Sequence, residues 1–286
     1  MLVRDILNEA ARNFANAGIP SPRLDAEILL AFCLGCERLD FIKNPAAPVN
    51  KNILVSFQKL AARRLAWEPV AYITGRKEFW SFVLEVNSSV LIPRPDTEVL
   101  VEEALNIYRE LDSAEIKILD IGTGSGAIAL ALACEIPTAR LTATDISAAA
   151  LITARKNAHN LNLDRQIEFL QGNLFEPVDD IFDIIVSNPP YIADEEYDKL
   201  PAGVKDYEPR EALLAGACGL DFYRKIVMEA PVHLKNNGWL LLETGATQNV
   251  QISNIFEASR QYSDISIKND YAGLPRVIKA RRKSSG

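Results

Sequence analysis

The stretch Asn188-Pro189-Pro190-Tyr191 follows directly on the apolar run FDIIVS and combines an amide, two cyclic residues and a phenol. Proline fixes φ and carries no N–H, so its carbonyl stands as an acceptor on a stiff backbone. An amide oxygen beside a rigid backbone carbonyl suits a planar NH2 group, each acceptor taking one hydrogen, while Tyr191 packs on its π face. Nitrogen of that kind is a poor nucleophile because its lone pair is delocalised. Holding both N–H bonds lets the pair localise as attack begins, and alignment on an electrophile supplies much of the remaining catalysis. The residue types therefore point to group transfer onto an amide or exocyclic amino nitrogen. No general base is required, since the substituted nitrogen turns acidic and sheds its proton late. The bland alternative is a proline turn closing a strand.

A second feature lies upstream in ILDIGTGSGAIAL, where Gly122, Gly124 and Gly126 separate an apolar strand from a helix. Glycine lets the backbone turn sharply and approach a ligand, and a helix N-terminus offers unpaired N–H groups. Asp145 in LTATDIS ends the next strand, where an acid can accept from both hydroxyls of a ribose. The G-x-G-x-G spacing departs from the G-x-G-x-x-G dinucleotide fingerprint. Its D-x-G-x-G-x-G form favours an adenosyl ligand, S-adenosylmethionine, over NAD.

These residues need a scaffold that brings strand ends together. From Lys117 the pattern alternates strand and helix: KILDIG, GAIALALACEIP, RLTATD, SAAALITARKNAHNLN, IEFLQGN, FDIIVSN and GWLLLETG. That alternation predicts a mostly parallel sheet covered on both faces, with ligands at the carboxyl ends of its strands. DISIKND and PRVIKARR read as two closing strands, a hairpin at one edge. Upstream, EFWSFVLEV alternates like a hairpin. Residues 1–75 read as three helices, RDILNEAARNFANAG, SPRLDAEILLAFCLG and NKNILVSFQKLAARRLAWE, with Pro22 at a first helical position and Gly35 at a stop.

Bulk composition bounds the rest. The 286 residues carry 31 basic and 38 acidic side chains, a net charge of −7, and 48% are hydrophobic. The acidic balance argues against direct nucleic-acid binding, and no apolar run is long enough to span a bilayer. The N-terminus lacks a signal-peptide core, so a cytoplasmic protein is expected. Cys33 and Cys36 form a C-x-x-C, but with His159 and His233 as the only histidines a metal site is not expected; two thiols on a buried helix are.

With NPPY, the glycine loop, ITGRKEFW, LIPRPDTEVLVE, YEPREALLAG, GLDFYRKI, LLLETGATQ and DYAGLPRVI on the page, the chain resembles the [DN]-P-P-[YFW] amino-methyltransferases. Within them it is similar to the bacterial release factor glutamine methyltransferases of the HemK/PrmC type, over nearly its whole length. The resemblance implies an α/β, Rossmann-like, seven-stranded S-adenosylmethionine-dependent methyltransferase domain with a small N-terminal helical domain. It implies a substrate-recognition domain at 1–75, a β-hairpin linker at 76–92 and the methyltransferase domain at 93–286. It implies class I peptide chain release factors as substrate, modified on the glutamine of a Gly-Gly-Gln loop by a monomer. Asn188, Pro189, Pro190 and Tyr191 would form the catalytic cradle. Gly122, Thr123, Gly124, Ser125, Gly126, Asn188 and Asp145 would line the cofactor. Asn173 and Leu174 would meet its adenine, and Arg94, Pro95, Thr97 and Glu98 would close over its methionine end.

Overall fold

A computed structural model describes residues 1–111 and 115–284, so positions 112–114 and 285–286 of the expected 93–286 domain lie outside the described residues. The chain divides into two compact units: Met1–Arg76 with Pro201–Tyr207, and Lys77–Leu200 with Glu208–Gly286.

The first unit is helical. Helix α1 (Val3–Asn16) buries Val3, Ile6, Leu7, Ala10 and Phe14, an i, i+3/i+4 stripe. Helix α2 (Pro22–Leu34) starts on its proline and stops at Gly35, whose φ of 64° is left-handed. That leaves Cys33 on the helix and Cys36 beyond its end, not both on one buried helix; both are half-buried. Burial pushes both thiols up, which disfavours the reactive thiolate. Two short helices, α3 (Leu39–Lys43) and α5 (Val70–Thr74), flank α4 (Lys51–Leu65). The side chain of Asn50 caps α4 by accepting from the Ile53 N–H. Phe14, Leu29, Leu30 and Phe57 fill the core. A buried ion pair joins Arg64 Nε to Asp25 Oδ2 at 2.8 Å. The Pro201–Tyr207 segment, placed within 93–286 by the sequence reading, groups with these helices because the Tyr207 hydroxyl donates to the Ala66 carbonyl at 2.7 Å.

The second unit takes up from Lys77 the hairpin of β1 (Arg76–Phe79) and β2 (Phe82–Glu85), then helix α6 (Glu98–Leu111). Strand β3 (Lys117–Ile121) leads to α7 (Ala127–Glu135), and β4 (Arg140–Asp145) to α8 (Ala148–Asn160). There follow β5 (Ile167–Gln171), β6 (Phe182–Ser187), the helix Asp221–His233, β7 (Leu234–Glu243), the helix Asn249–Ser259, β8 (Tyr262–Asn269) and β9 (Pro275–Arg282). As expected, seven of the described strands form one sheet, in the order β5-β4-β3-β6-β7-β9-β8. The five strands from β5 to β7 are parallel, and β9 pairs antiparallel with both β7 and β8. Ile118, Leu119, Ile184, Ile185, Leu240 and Leu241 are fully buried, which explains the unbroken apolar runs of a sheet covered on both faces. Strand β7 starts four residues before the expected Gly238, past an irregularity where Asn237 takes a φ of 64°. At the far edge, pairing of β8 with β9 slips between Ser263 and Ser266, with Asp264 at a φ of 53°.

The strand order reverses at β3 and β6. Ile121, the last residue of β3, stands opposite Ser187, the last residue of β6, and the Ser187 hydroxyl donates to the Ile121 carbonyl at 2.8 Å. Gly122 and Asn188 therefore leave the sheet side by side at its switch point, where open α/β sheets form their ligand crevice.

Candidate active site

That crevice is a cavity of about 600 Å³, the size of a small-molecule site. Its wall includes Gly122, Thr123, Gly124 and Ser125 from the loop after β3, and Asp145 from the end of β4. Asn173 and Leu174 follow β5 into the wall, and Asn188, Pro189 and Pro190 follow β6.

The loop is shaped for close approach. Gly122 and Gly124 have φ of 72° and 57°, and a Cβ added at either would meet nothing within 4 Å, so the bare backbone faces open space. Gly126 serves packing instead: at a φ of 86° its added Cβ would lie 3.0 Å from Leu130 Cδ1 and 3.4 Å from Ala154 Cβ, and it is absent from the wall. Asp145 takes the Gly124 N–H on Oδ2 and the Ser147 N–H on Oδ1, each at 2.8 Å. Burial raises its pKa, against those two bonds. Beneath the loop, fully buried Asp120 accepts from the Thr123 hydroxyl at 2.7 Å and the Ala129 N–H at 3.2 Å. Its Oδ1 has no partner among the described residues, and burial pushes its pKa to about 7. A carboxylate at the rim, bare loop backbone and apolar walls at Ile128, Ile146, Leu174 and Phe222 fit a nucleoside presenting two adjacent hydroxyls.

Beside this pocket, Asn188 is half-buried and Pro189 buried. The Asn188 Nδ2 donates to Thr97 Oγ1 at 3.3 Å. Tyr191 is half-buried and does not form the cavity wall. Its carbonyl accepts from Gln248 Nε2 at 2.9 Å, and Ile192 is held by two backbone bonds of 2.9 Å, to the Leu213 carbonyl and from the Ala215 N–H. These bonds fix the exit of the proline turn. Gly219 must be glycine here: its φ is 69°, and a Cβ would lie 2.4 Å from the Tyr191 carbonyl oxygen.

The segment expected over the cofactor's methionine end divides. Thr97 is buried and lines the cavity. Arg94, Pro95 and Glu98 are not in the wall. Arg94 forms an ion pair with buried Glu208, whose other oxygen accepts from the Ile92 N–H at 3.2 Å. Glu98 Oε1 accepts from the Trp80 N–H at 2.8 Å and so caps the hairpin turn, where Trp80 itself takes a φ of 56°.

Sequence reasoning missed Glu243. It ends β7, is 1% exposed, and its carboxylate is drawn toward the charged form by the neighbouring Thr97 hydroxyl. Its Oε2 has no partner among the described residues, and burial pushes its pKa to about 7. The signal was present: LLLE is a buried apolar strand that ends in an acid on the ligand edge. Asp120, Glu208 and the wall residue Phe222 were likewise quoted within motifs but given no role.

Residues 5–75 match the family model of the PrmC N-terminal domain, and residues 97–202 that of the methyltransferase small domain. A release factor glutamine methyltransferase of Vibrio cholerae is 43% identical over 280 residues, 97% of this chain and 96% of that protein. One of Koribacter versatilis is 38% identical over 289 residues, all of both chains. Among solved structures, a methyltransferase from Pyrococcus furiosus shares the fold with a TM-score of 0.52 at 20% identity, over 79% of this chain and all of that one. Among the described residues no helix is long and apolar enough to cross a membrane.

Proposed function

Because the chain belongs to the release factor glutamine methyltransferase family, we propose that it methylates the side-chain amide nitrogen of the Gly-Gly-Gln glutamine in class I peptide chain release factors, with S-adenosylmethionine as donor. The observation that carries this reading is the shared wall: the glycine loop, Asp145 and the Asn188-Pro189-Pro190 turn bound one cavity.

S-adenosylmethionine, when bound, supplies an electrophilic methyl group on a positively charged sulfur. Asp145 would hold its ribose hydroxyls, Gly122 and Gly124 would let it lie against bare backbone, and Asn173 and Leu174 would flank its base. Asn188 Oδ1 and the Pro189 carbonyl accept the two amide hydrogens of the glutamine, while Tyr191 stiffens the turn that carries them. This holds the nitrogen in line and draws its lone pair out of conjugation. The nitrogen loses one proton after the bond forms, so no side chain need act as base. We infer the cytoplasm as the compartment from the substrate alone, which works in translation.

The test is transfer of labelled methyl from S-adenosylmethionine to a purified bacterial release factor, with mass mapping and an Asn188→Ala control. Label on the Gly-Gly-Gln glutamine that disappears in the control is the expected result. Label on RNA, DNA or a ribosomal protein instead would overturn the substrate. We further propose that the helical unit recognises the body of the factor. Removing residues 1–75 should then abolish transfer to whole factor while sparing cofactor binding, and equal loss of both would sink that role.

A further inference from the structure

The acceptor on Asn188 works only if its amide faces the right way. An asparagine side chain is nearly symmetric in shape, and a flipped amide would offer N–H2 to a substrate that also offers N–H2. Something in the protein has to break the tie.

Buried behind the cradle is a chain of three side chains. Asn188 Nδ2 donates to Thr97 Oγ1 at 3.3 Å, and the Thr97 hydroxyl in turn neighbours the Glu243 carboxylate and favours its charge. Thr97 is 3% and Glu243 1% exposed, so water does not substitute for either link. A hydroxyl has one proton to give. An ionised carboxylate can only accept, so the Thr97 proton must go to Glu243. Thr97 Oγ1 can then only accept from Asn188, which turns Nδ2 inward and leaves Oδ1 for the ligand.

We infer that Glu243 is a positioning residue that sets the orientation of the Asn188 amide through Thr97. The inference rests on the methyl-transfer reading above and assigns Thr97 to the amide cradle, not to the cofactor alone. Glu243 touches no reacting atom.

The direction of the chain depends on Glu243 being ionised. Arg276 and Arg94 favour its charge and Asp96 opposes it. Arg276 is itself held by Asp96 and Asp270, each at 3.1 Å. The phenols of Tyr191 and Tyr223 lie in the field of Glu243 and are pushed up by it, after burial. Burial outweighs the arginines and leaves Glu243 at about 7. Once protonated, Glu243 can donate to Thr97, whose own proton then turns to Asn188. The amide flips to meet it, and the cradle presents a donor where it needs an acceptor.

Three variants test this. Thr97→Val keeps the shape and breaks the chain, Thr97→Ser keeps the hydroxyl, and Glu243→Gln keeps the shape without the charge. Expected are a kcat loss of roughly tenfold to a hundredfold in Thr97→Val, recovery in Thr97→Ser, and smaller changes in cofactor Kd than in kcat. The wild-type kcat should rise with pH through about 7, and Glu243→Gln should flatten that rise. A second readout needs neither cofactor nor substrate: the Asn188 side-chain amide resonance, assigned by its absence in Asn188→Ala, should shift with pH over the same range and stop doing so in Glu243→Gln. A wild type that transfers methyl while Thr97→Val keeps its kcat would overturn the inference, as would an Asn188 resonance indifferent to both pH and Glu243→Gln. If wild type methylates no release factor, the function reading fails, and the resonance still decides the role of Glu243.

Discussion

The Gly124 N–H donates to Asp145 Oδ2 at 2.8 Å, so the loop after β3 and the acid that ends β4 form one hydrogen-bonded piece. Asp145 shapes the glycine loop as well as lining the cavity. Asp145→Asn should therefore cost more than one ribose contact. With hydrogen bonds to a charged group worth about 1.5–3 kcal/mol each, cofactor affinity should fall by more than about tenfold, measured by titration calorimetry. Affinity should also weaken as pH falls through the raised pKa of Asp145, because the protonated acid accepts less well. Unchanged affinity in Asp145→Asn would remove the acid from the site.

Asn157 is a hidden support of the same loop. It is 1% exposed, accepts from the Glu85 N–H at 2.7 Å, and donates to the carbonyls of Glu85 at 3.0 Å and Ser125 at 2.9 Å. Asn157→Ala would remove three hydrogen bonds to backbone groups. A loss of roughly 3 kcal/mol in stability is expected, seen as a lower Tm, together with weaker cofactor binding because Ser125 is released. A variant with normal Tm would show that the bonds to the hairpin are dispensable.

Gly219→Ala tests the seat of Tyr191. The new methyl would meet the Tyr191 carbonyl at 2.4 Å in a left-handed backbone, so the turn must move. Overpacking of this kind costs about 1–3 kcal/mol. Because the displaced atoms belong to the proposed amide cradle, kcat should drop while cofactor Kd stays near the wild-type value. Comparable losses in both would point to general unfolding.

Stability itself should depend on pH in an unusual direction. Asp120 and Glu243 are raised by burial from ordinary values of 3.8 and 4.5 to about 7. The folded state therefore binds more protons than the unfolded state across that window, and stability falls as pH rises through it. Glu27 and Glu103, held low by their arginine and lysine partners against burial, act below the window. Each raised group changes stability by up to about 1.4 kcal/mol per pH unit. Denaturant titrations between pH 5 and 7 should give a shallower slope for Asp120→Asn with Glu243→Gln. An equal slope in the variant would mean that neither acid is neutral in the fold.

Much of this site was legible in the sequence because its elements announce themselves locally. Asp145 ends a strand, Gly122, Gly124 and Asn188 lie within three residues past one, and strand ends are visible as the edges of apolar runs. The alternation of strands and helices then fixes which ends meet. What escaped the sequence is whatever depends on side chains meeting across long separations. Thr97, Asn188 and Glu243 come from three distant segments, and no spacing rule links them. Glu98 illustrates the converse. It sits in the same motif as Thr97, one residue on, yet it points to the Trp80 N–H, because adjacent residues at a helix start diverge in direction. The two short helices α3 and α5 were missed because five residues are too few to show a period.

The slipped register of β8 has a bearing on how this protein behaves in a crowded solution. An exposed edge strand invites a stray strand to add to the sheet. With Asp264 in a left-handed turn and pairing broken between Ser263 and Ser266, the outer edge offers only two short, misaligned rows of N–H and C=O groups. The opposite edge, β5, is five residues long. A sheet built on long apolar strands is thereby blunted at both margins, and the protein can concentrate its hydrophobic residues in the centre without exposing a template for aggregation.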